Sequence, residues 1–339
     1  MRALVTGGAG FVGRYLCRAL LERGWEVVCV DPLVPRTGAI DPADWPFFKP
    51  LDHRGFTYHR EDCRSYFAKH VEHFDYAFHL AAMVGGRLMI DYEPLAVAED
   101  LAIDAMYWRW AEKAKPEKTV TFSSSAAYPI GLQRPDHYRL LKEDDISFEE
   151  HLGMPDMTYG WAKLTSEYVG RLAFERYGLK SVAFRPFSGF GEDQDLTYPF
   201  PSIVKRALEL GPGEDMFVWG SGRQMRDFVH IEDCVACVLT CMDQIHDGSA
   251  VNISSGKLTS FIALAELALA AAGRDARVTT QSDKPEGVFA RGGDRTLQDK
   301  LGFVPSISLQ AGIERAMNFL DSDANHNNRA FEAPHVLAT

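Results

Sequence analysis

The sequence predicts an α/β fold, a doubly wound parallel sheet followed by a smaller C-terminal lobe, and three observations carry that prediction. A chain of 339 residues holds about two domains. Through its first half, short β-type runs alternate with helical patterns, which builds parallel strands joined by crossover helices. After Arg185-Pro186 the texture changes to prolines at 199, 201 and 212 among glycines at 189, 191, 211, 213, 220 and 222, the mark of a looped, irregular region.

The elements follow in order. Residues 3–6 read as a first strand, 13–23 as its helix and 26–30 as the second strand. A further β-type run precedes Glu61-Asp62-Cys63-Arg64, and strands at 76–80 and 119–123 bracket a helix at 98–113. The unit recurs as a helix over 159–177 and a strand over 181–185, and two helical patterns, 260–272 and 309–321, close the chain.

Composition excludes several functions. Hydrophobic residues at 46% and charged residues at 24% are ordinary for a packed domain and wrong for a disordered chain. Thirty-six Lys and Arg against 47 Asp and Glu leave a net charge of −11, which argues against nucleic acid as partner. Six cysteines are too sparse for a disulfide framework and point to a reduced compartment. The chain runs from Met1 straight into a glycine loop, so no signal peptide is expected. Its longest apolar stretch, 261–273, is broken by Glu266 and falls short of the ~20 residues of a membrane span. The expectation is a cytoplasmic protein.

The sharpest local signal is Val5-Thr6-Gly7-Gly8-Ala9-Gly10-Phe11-Val12-Gly13 between a strand and a helix. Gly7 permits the tight turn, Gly10 lets backbone approach a diphosphate, and Gly13 lets the helix pack on the sheet. The amides of the helix start, at Phe11 and Val12, then hold phosphates. Asp31 ends the next strand near the ~20-residue spacing at which an acid meets a ribose 2′-hydroxyl, favouring NAD over NADP, although Arg36 lies close enough to blur that preference. Leu80-Ala81-Ala82 brings small residues against the cofactor. Asp62 is placed either to meet an adenine amino group or to serve as a solvated turn acid.

Chemistry sits in two segments. Phe122-Ser123-Ser124-Ser125-Ala126-Ala127-Tyr128-Pro129 ends a strand, where Ser123 adjoins the cofactor, and Tyr159-Gly160-Trp161-Ala162-Lys163 enters a helix. Tyrosine and lysine four apart share a helix face, so the ammonium lowers the phenol toward a usable base, and both residues also reach the cofactor. A serine completes the hydrogen bond to the substrate hydroxyl.

These motifs resemble the extended short-chain dehydrogenase/reductase family of nucleotide-sugar enzymes, over nearly the whole chain to about Leu320. GDP-mannose 3,5-epimerases and GDP-L-fucose synthases are the nearest in pattern. Ala81-Ala82-Met83-Val84-Gly85-Gly86, Val218-Trp219-Gly220-Ser221-Gly222, Met225-Arg226-Asp227-Phe228-Val229-His230-Ile231 and Lys284-Pro285-Glu286-Gly287 carry the likeness. The resemblance implies a Rossmann-type NAD-binding domain from 1–185 plus about 225–255. A substrate-binding lobe would come from 186–224 and 256–320, and a polar tail over 321–339 would fray. It implies Ser124, Tyr159 and Lys163 as the catalytic triad, with Ser125 as the alternative if the register slips by one. It places Gly85 and Gly86 along the sugar pocket, and Arg226 and Arg291 either on a diphosphate or in surface salt bridges.

The departures from the pattern shape the expected reaction. The family's cysteine acid/base two residues before Tyr128 is Ala126 here, and its Lys or His partner is missing from Leu196-Thr197-Tyr198-Pro199-Phe200. The asparagine after Arg-Pro-Phe is Ser188, the mid-helix asparagine that supports the catalytic tyrosine is Asp100, and the Thr-Asp-Glu of 4,6-dehydratases is absent. What remains is a hydride-transfer site, and the expected function is NAD-dependent epimerisation at C4 of a GDP- or other nucleotide sugar. The alternatives are 3,5-epimerisation, 4-oxidation or reduction, 4,6-dehydration, and a non-catalytic NAD-binding regulator, against which the intact serine, tyrosine and lysine argue. No metal is expected: Cys234, Cys237 and Cys241 fall on one helical face without partners at zinc spacing, and His70 and His73 read as a solvated helix face. Tyr107-Trp108-Trp110 reads as core or as the dimer contact of a homodimer.

Overall fold

The computed structural model describes residues 1–83, 87–150, 152–284 and 286–322. The first unit is β1 (Arg2–Thr6), α1 (Phe11–Glu22) and β2 (Glu26–Val30), followed by β3 (Phe56–His59), α2 (Cys63–Lys69) and β4 (Tyr76–His79). Then come α3 (Glu99–Ala114), β5 (Lys118–Phe122), α4 (Met157–Tyr177), β6 (Ser181–Pro186), α5 (Ile231–Cys241) and β7 (Asp247–Ile253). The strands form one seven-stranded parallel sheet in the order β7-β6-β5-β4-β1-β2-β3. Chain order reverses beside β1, and ligands of such sheets bind outside the carboxyl ends of the strands at that switch.

The sheet is covered on both faces, which is why its strands read as continuous apolar runs such as Val27-Val28-Cys29-Val30. Successive residues of β1 divide between the layers. Ala3 and Val5 pack with Leu16 and Leu20 of α1 and Cys234 and Val238 of α5, whereas Leu4 packs with Tyr66 of α2 and Tyr107 and Trp110 of α3. Tyr107, Trp108 and Trp110 are 0%, 6% and 2% exposed, so the aromatic cluster is core and not a dimer contact. All six cysteines are buried as free thiols.

A separate core joins Phe190, Phe200, Val204, Phe228, Phe261, Leu264, Ile313 and Met317 in the C-terminal lobe. The stretch after Pro186 is more regular than its prolines suggest. Residues Pro199–Glu209 form a helix that begins on Pro199, where the missing N–H has no intrahelical acceptor to lose. Asp227 stitches this lobe to the end of β7: it accepts from Ser254 Oγ (2.5 Å), Ser255 N (2.8 Å), Ser255 Oγ (2.6 Å) and Gly293 N (3.1 Å). No helix among the described residues is long and apolar enough to cross a membrane.

Candidate active site

The glycine loop lies where β1 and β4 end. Gly7 has φ +72°, and a Cβ there would stand 2.6 Å from the amide nitrogen of Ala81, so the loop touches the residues that follow β4. A Cβ on Gly13 would meet the Gly7 carbonyl at 2.3 Å, which explains why the first turn of α1 can press on the loop. Gly10 occupies the N-cap of α1 with no side-chain cap, whereas α2 is capped by Asp62 and α5 by His230. The uncapped amides of the first turn, at Phe11 and Val12, suit a phosphate. Asp31 is buried at the end of β2, accepting from Ala9 N (3.1 Å) and Leu33 N (2.8 Å), and burial raises its pKa. These groups fit an adenine dinucleotide.

Other residues read as cofactor contacts have visible local duties. Asp62 caps α2 through Arg64 N (2.8 Å) and holds the Arg64 guanidinium at 2.7 Å. Leu80 donates its amide to Thr6 O at 3.0 Å, with Ala81 and Ala82 half-buried beyond it. The Ser123 hydroxyl donates to Glu167, which pairs with buried Arg185 at 2.6 Å, so it has only acceptor capacity left to offer a cofactor. Arg36 pairs with Glu93 at 2.9 Å on the surface. His70 stacks on Tyr66, and His59, Glu61 and His70 bring donor atoms within 4.8 Å, with Glu61 held by Lys69 at 2.7 Å.

Ser124, Tyr159 and Lys163 come together where β5 meets α4. Ser124 Oγ accepts from Ala126 N at 3.1 Å and acts on the Tyr159 phenol, and the Lys163 ammonium lies 5.7 Å from the centre of the Tyr159 ring. The phenol is not lowered as its spacing from lysine predicts. Burial raises it, and the opposing pull of Lys163 and Ser124 does not overcome that rise, to which Asp100 and Asp104 add. Burial also works against the ammonium, yet Asp100, Tyr159 and Asp104 hold Lys163 above the ordinary lysine value. Ser125 is buried in the turn after Ser124. Gly85 and Gly86 lie outside the described residues.

Arg226 and Arg291 are register partners in adjacent parallel strands, which places both guanidiniums on one face. Like charges directly opposite destabilise a strand pair. Arg291 is relieved by Asp156 (2.8 Å) and Gln133 (2.8 Å), whereas Arg226 donates to the carbonyls of Met225 and Val288. Burial, then Arg291 and Arg87, push Arg226 down to about 9. Arg291 lies within electrostatic reach of Tyr159.

The sequence model of the NAD dependent epimerase/dehydratase family matches residues 3–254. The chain belongs to this family. It is therefore an NAD-dependent enzyme of the epimerase/dehydratase type. It is 28% identical over 339 residues to the uncharacterized UDP-glucose epimerase YtcB of Bacillus subtilis (strain 168), covering 95% of this chain and 98% of that protein. It is 26% identical over 322 residues to GDP-mannose 3,5-epimerase 1 of Oryza sativa subsp. indica, covering 92% and 80%. In fold it matches the UDP-glucose 4-epimerase of Thermotoga maritima, with a TM-score of 0.77 and 24% identity over 94% of this chain and 98% of that one.

Set in this family, the chain shows residues that motif reading missed. Asp156 occupies the N-cap position of α4 but caps nothing; its carboxylate instead joins Arg87 (2.9 Å) and Arg291 (2.8 Å). Burial opposes its charge, but Arg291 and Arg87 hold its pKa below the usual value. The signal available was an acid three residues before Tyr159, which reads as an ordinary cap. Tyr198, which the sequence already offered as a replacement acid in the 191–201 loop, is a second phenol within electrostatic reach of Tyr159.

Proposed function

We propose that this enzyme epimerises a nucleotide sugar at C4, with Tyr159 as the acid/base, Ser124 hydrogen-bonded to the reacting hydroxyl, and Arg226 and Arg291 on the diphosphate. The arginine pair carries the reading: two guanidiniums stand in register on one face, Arg226 without a carboxylate partner among the described residues, which suits an anion, and Arg291 lies within electrostatic reach of Tyr159. Bound NAD supplies a hydride acceptor that returns the hydride. Tyr159 takes the C4 hydroxyl proton as the hydride leaves, keeps it while the 4-keto sugar turns over, and gives it back to the epimeric alkoxide. Lys163, fixed one helical turn on, holds its ammonium beside the phenol throughout. Asp31 selects NAD by its place at the end of β2, and Asp62, Leu80, Ala81, Ala82 and Ser123 complete the cofactor wall. Gly85, Gly86 and Ser125 would line the sugar side.

Ala126 in place of the cysteine acid/base supports chemistry confined to C4. GDP-, UDP-, dTDP- and CDP-sugars are to be screened by thermal shift and by absorbance near 340 nm, and the product of the best substrate examined after turnover in D2O. A C4 epimerase returns the same hydrogen, so the product gains no carbon-bound deuterium. Deuterium at C3 or C5 would restore the 3,5-epimerase reading, for which Tyr198 is a candidate second acid. A panel giving neither binding nor reduced cofactor would favour a non-catalytic regulator.

We also propose a homodimer formed through α3 and α4. Leu101 and Met106 on α3 and Trp161 and Tyr168 on α4 are large apolar side chains left exposed. Light scattering should give twice the chain mass, and Trp161→Glu should halve it.

A further inference from the structure

Acids stand behind the Tyr159–Lys163 pair. Asp100, in the first turn of α3, is 0% exposed; its Oδ1 accepts the Met83 amide, and its Oδ2 has no hydrogen-bond partner among the described residues. Asp104 lies one turn further along the same helix face, its Oδ1 3.0 Å from His79 Nε2, while His79 Nδ1 meets Thr6 Oγ1 at 2.7 Å. The charged groups that face Asp100 are Lys163 from α4 and, from its own helix, Asp104 and Glu99; the Tyr159 phenol faces it from α4. His79 on β4 reaches the cluster through Asp104, and burial keeps its imidazole neutral. An asparagine at position 100 would offer Met83 the same acceptor without the charge.

We propose that Asp100 is a positioning residue that keeps Tyr159 protonated until a further positive charge stands beside it, its carboxylate joining that of Asp104 to offset the field of the Lys163 ammonium at the phenol. A phenolate there would be a third anion around one buried cation. Nearby like charges disfavour the charged form of an acid by amounts that decide its state. Tyr159 therefore yields its proton when a further positive charge, such as an oxidised nicotinamide, stands beside it. Without that charge it is an acid ready to protonate a sugar ketone. The inference rests on Tyr159 being the acid/base of the site.

Phenol titration tests it without any substrate. Protein labelled with [13Cζ]tyrosine and loaded with NAD is titrated by NMR, with Tyr159→Phe identifying the resonance. Asp100→Asn should move the Tyr159 midpoint to lower pH, raising the phenolate fraction at a fixed pH on the wild-type curve by roughly tenfold. Asp104→Asn should move it the same way. An unmoved or raised midpoint in a folded Asp100→Asn protein overturns the proposal. If that variant does not fold, [13Cγ]aspartate labelling of the wild type decides: the buried Asp100 should be ionised at pH 8, and a carboxyl still protonated there overturns it. The nucleotide-sugar screen tests the underlying reading separately, because none of these titrations involves turnover.

Discussion

Replacing Arg226 with methionine should stabilise the free protein while weakening its hold on nucleoside diphosphates. Arg226 donates to the carbonyls of Met225 (2.7 Å) and Val288 (2.9 Å), while its register partner Arg291 takes the carboxylate of Asp156. Burial and the neighbouring Arg291 and Arg87 lower Arg226 from the ordinary arginine value to about 9. At ~1.36 kcal/mol per pH unit that is a ceiling of about 5 kcal/mol against the folded state. Partial access to solvent and the loss of two charge-assisted bonds on substitution reduce the net gain to about 1–2 kcal/mol. Methionine keeps the apolar stem, so the melting temperature should rise by a few degrees. The sign fixes the pH window. Below about 9 the arginine is charged in both folded and unfolded chains and the gain is constant; above it the folded wild type sheds its charge and the gain shrinks. Calorimetric titration with GDP and UDP should show affinity falling by ~10–100-fold, the worth of a charge-assisted bond. A variant that melts lower than wild type, or binds both diphosphates unchanged, would refute the reasoning.

Three further perturbations bear on separate parts of the site. Tyr159→Phe should leave NAD affinity nearly intact and cut turnover by ~10²–10⁴, and near-full activity would remove Tyr159 from the mechanism. Asp31→Ala should weaken NAD by ~10-fold or more and bring NAD and NADP affinities together, as read by calorimetry; a variant that still discriminates would place the ribose elsewhere. Glu167→Gln leaves the buried Arg185 without its 2.6 Å counter-charge and should cost ~3–5 kcal/mol in urea unfolding, whereas a loss below ~1 kcal/mol would mean the pair is solvated.

The fold was legible where steric demands leave few residue choices. The contact of Gly13 with the Gly7 carbonyl and the even burial of β1 on both faces are written into local sequence, and the loop and the sheet follow from them. Patterns that two environments share were not legible. Tyr107, Trp108 and Trp110 are apolar whether they face a core or a partner, and only packing against Tyr66 and Phe67 decides. Pro199 and Pro201 punctuate loops and also open helices. In the candidate site, the proximity of Ser124, Tyr159 and Lys163 could be read because strand end and helix start bring them together within one unit. Asp156 could not, because its arginine partners lie 69 and 135 residues away, and nothing local distinguishes a cap from a clamp. The raised phenol of Tyr159 escaped for the same reason: burial by the assembled fold raises it, and the acids that add to the rise come from α3, a different helix.

Asp227 bears on how substrate enters. One buried carboxylate ties the strand carrying Arg226 to Ser254 and Ser255 beyond β7 and to Gly293 beyond Arg291. Opening the two lobes along that seam would strip several hydrogen bonds from an ion with no other means of solvation, so the seam does not behave as a hinge. The spacing between the guanidiniums and the central sheet is then set before any ligand arrives. On the proposed assignment, the pair would meet a diphosphate as a fixed gauge and not by closing on it.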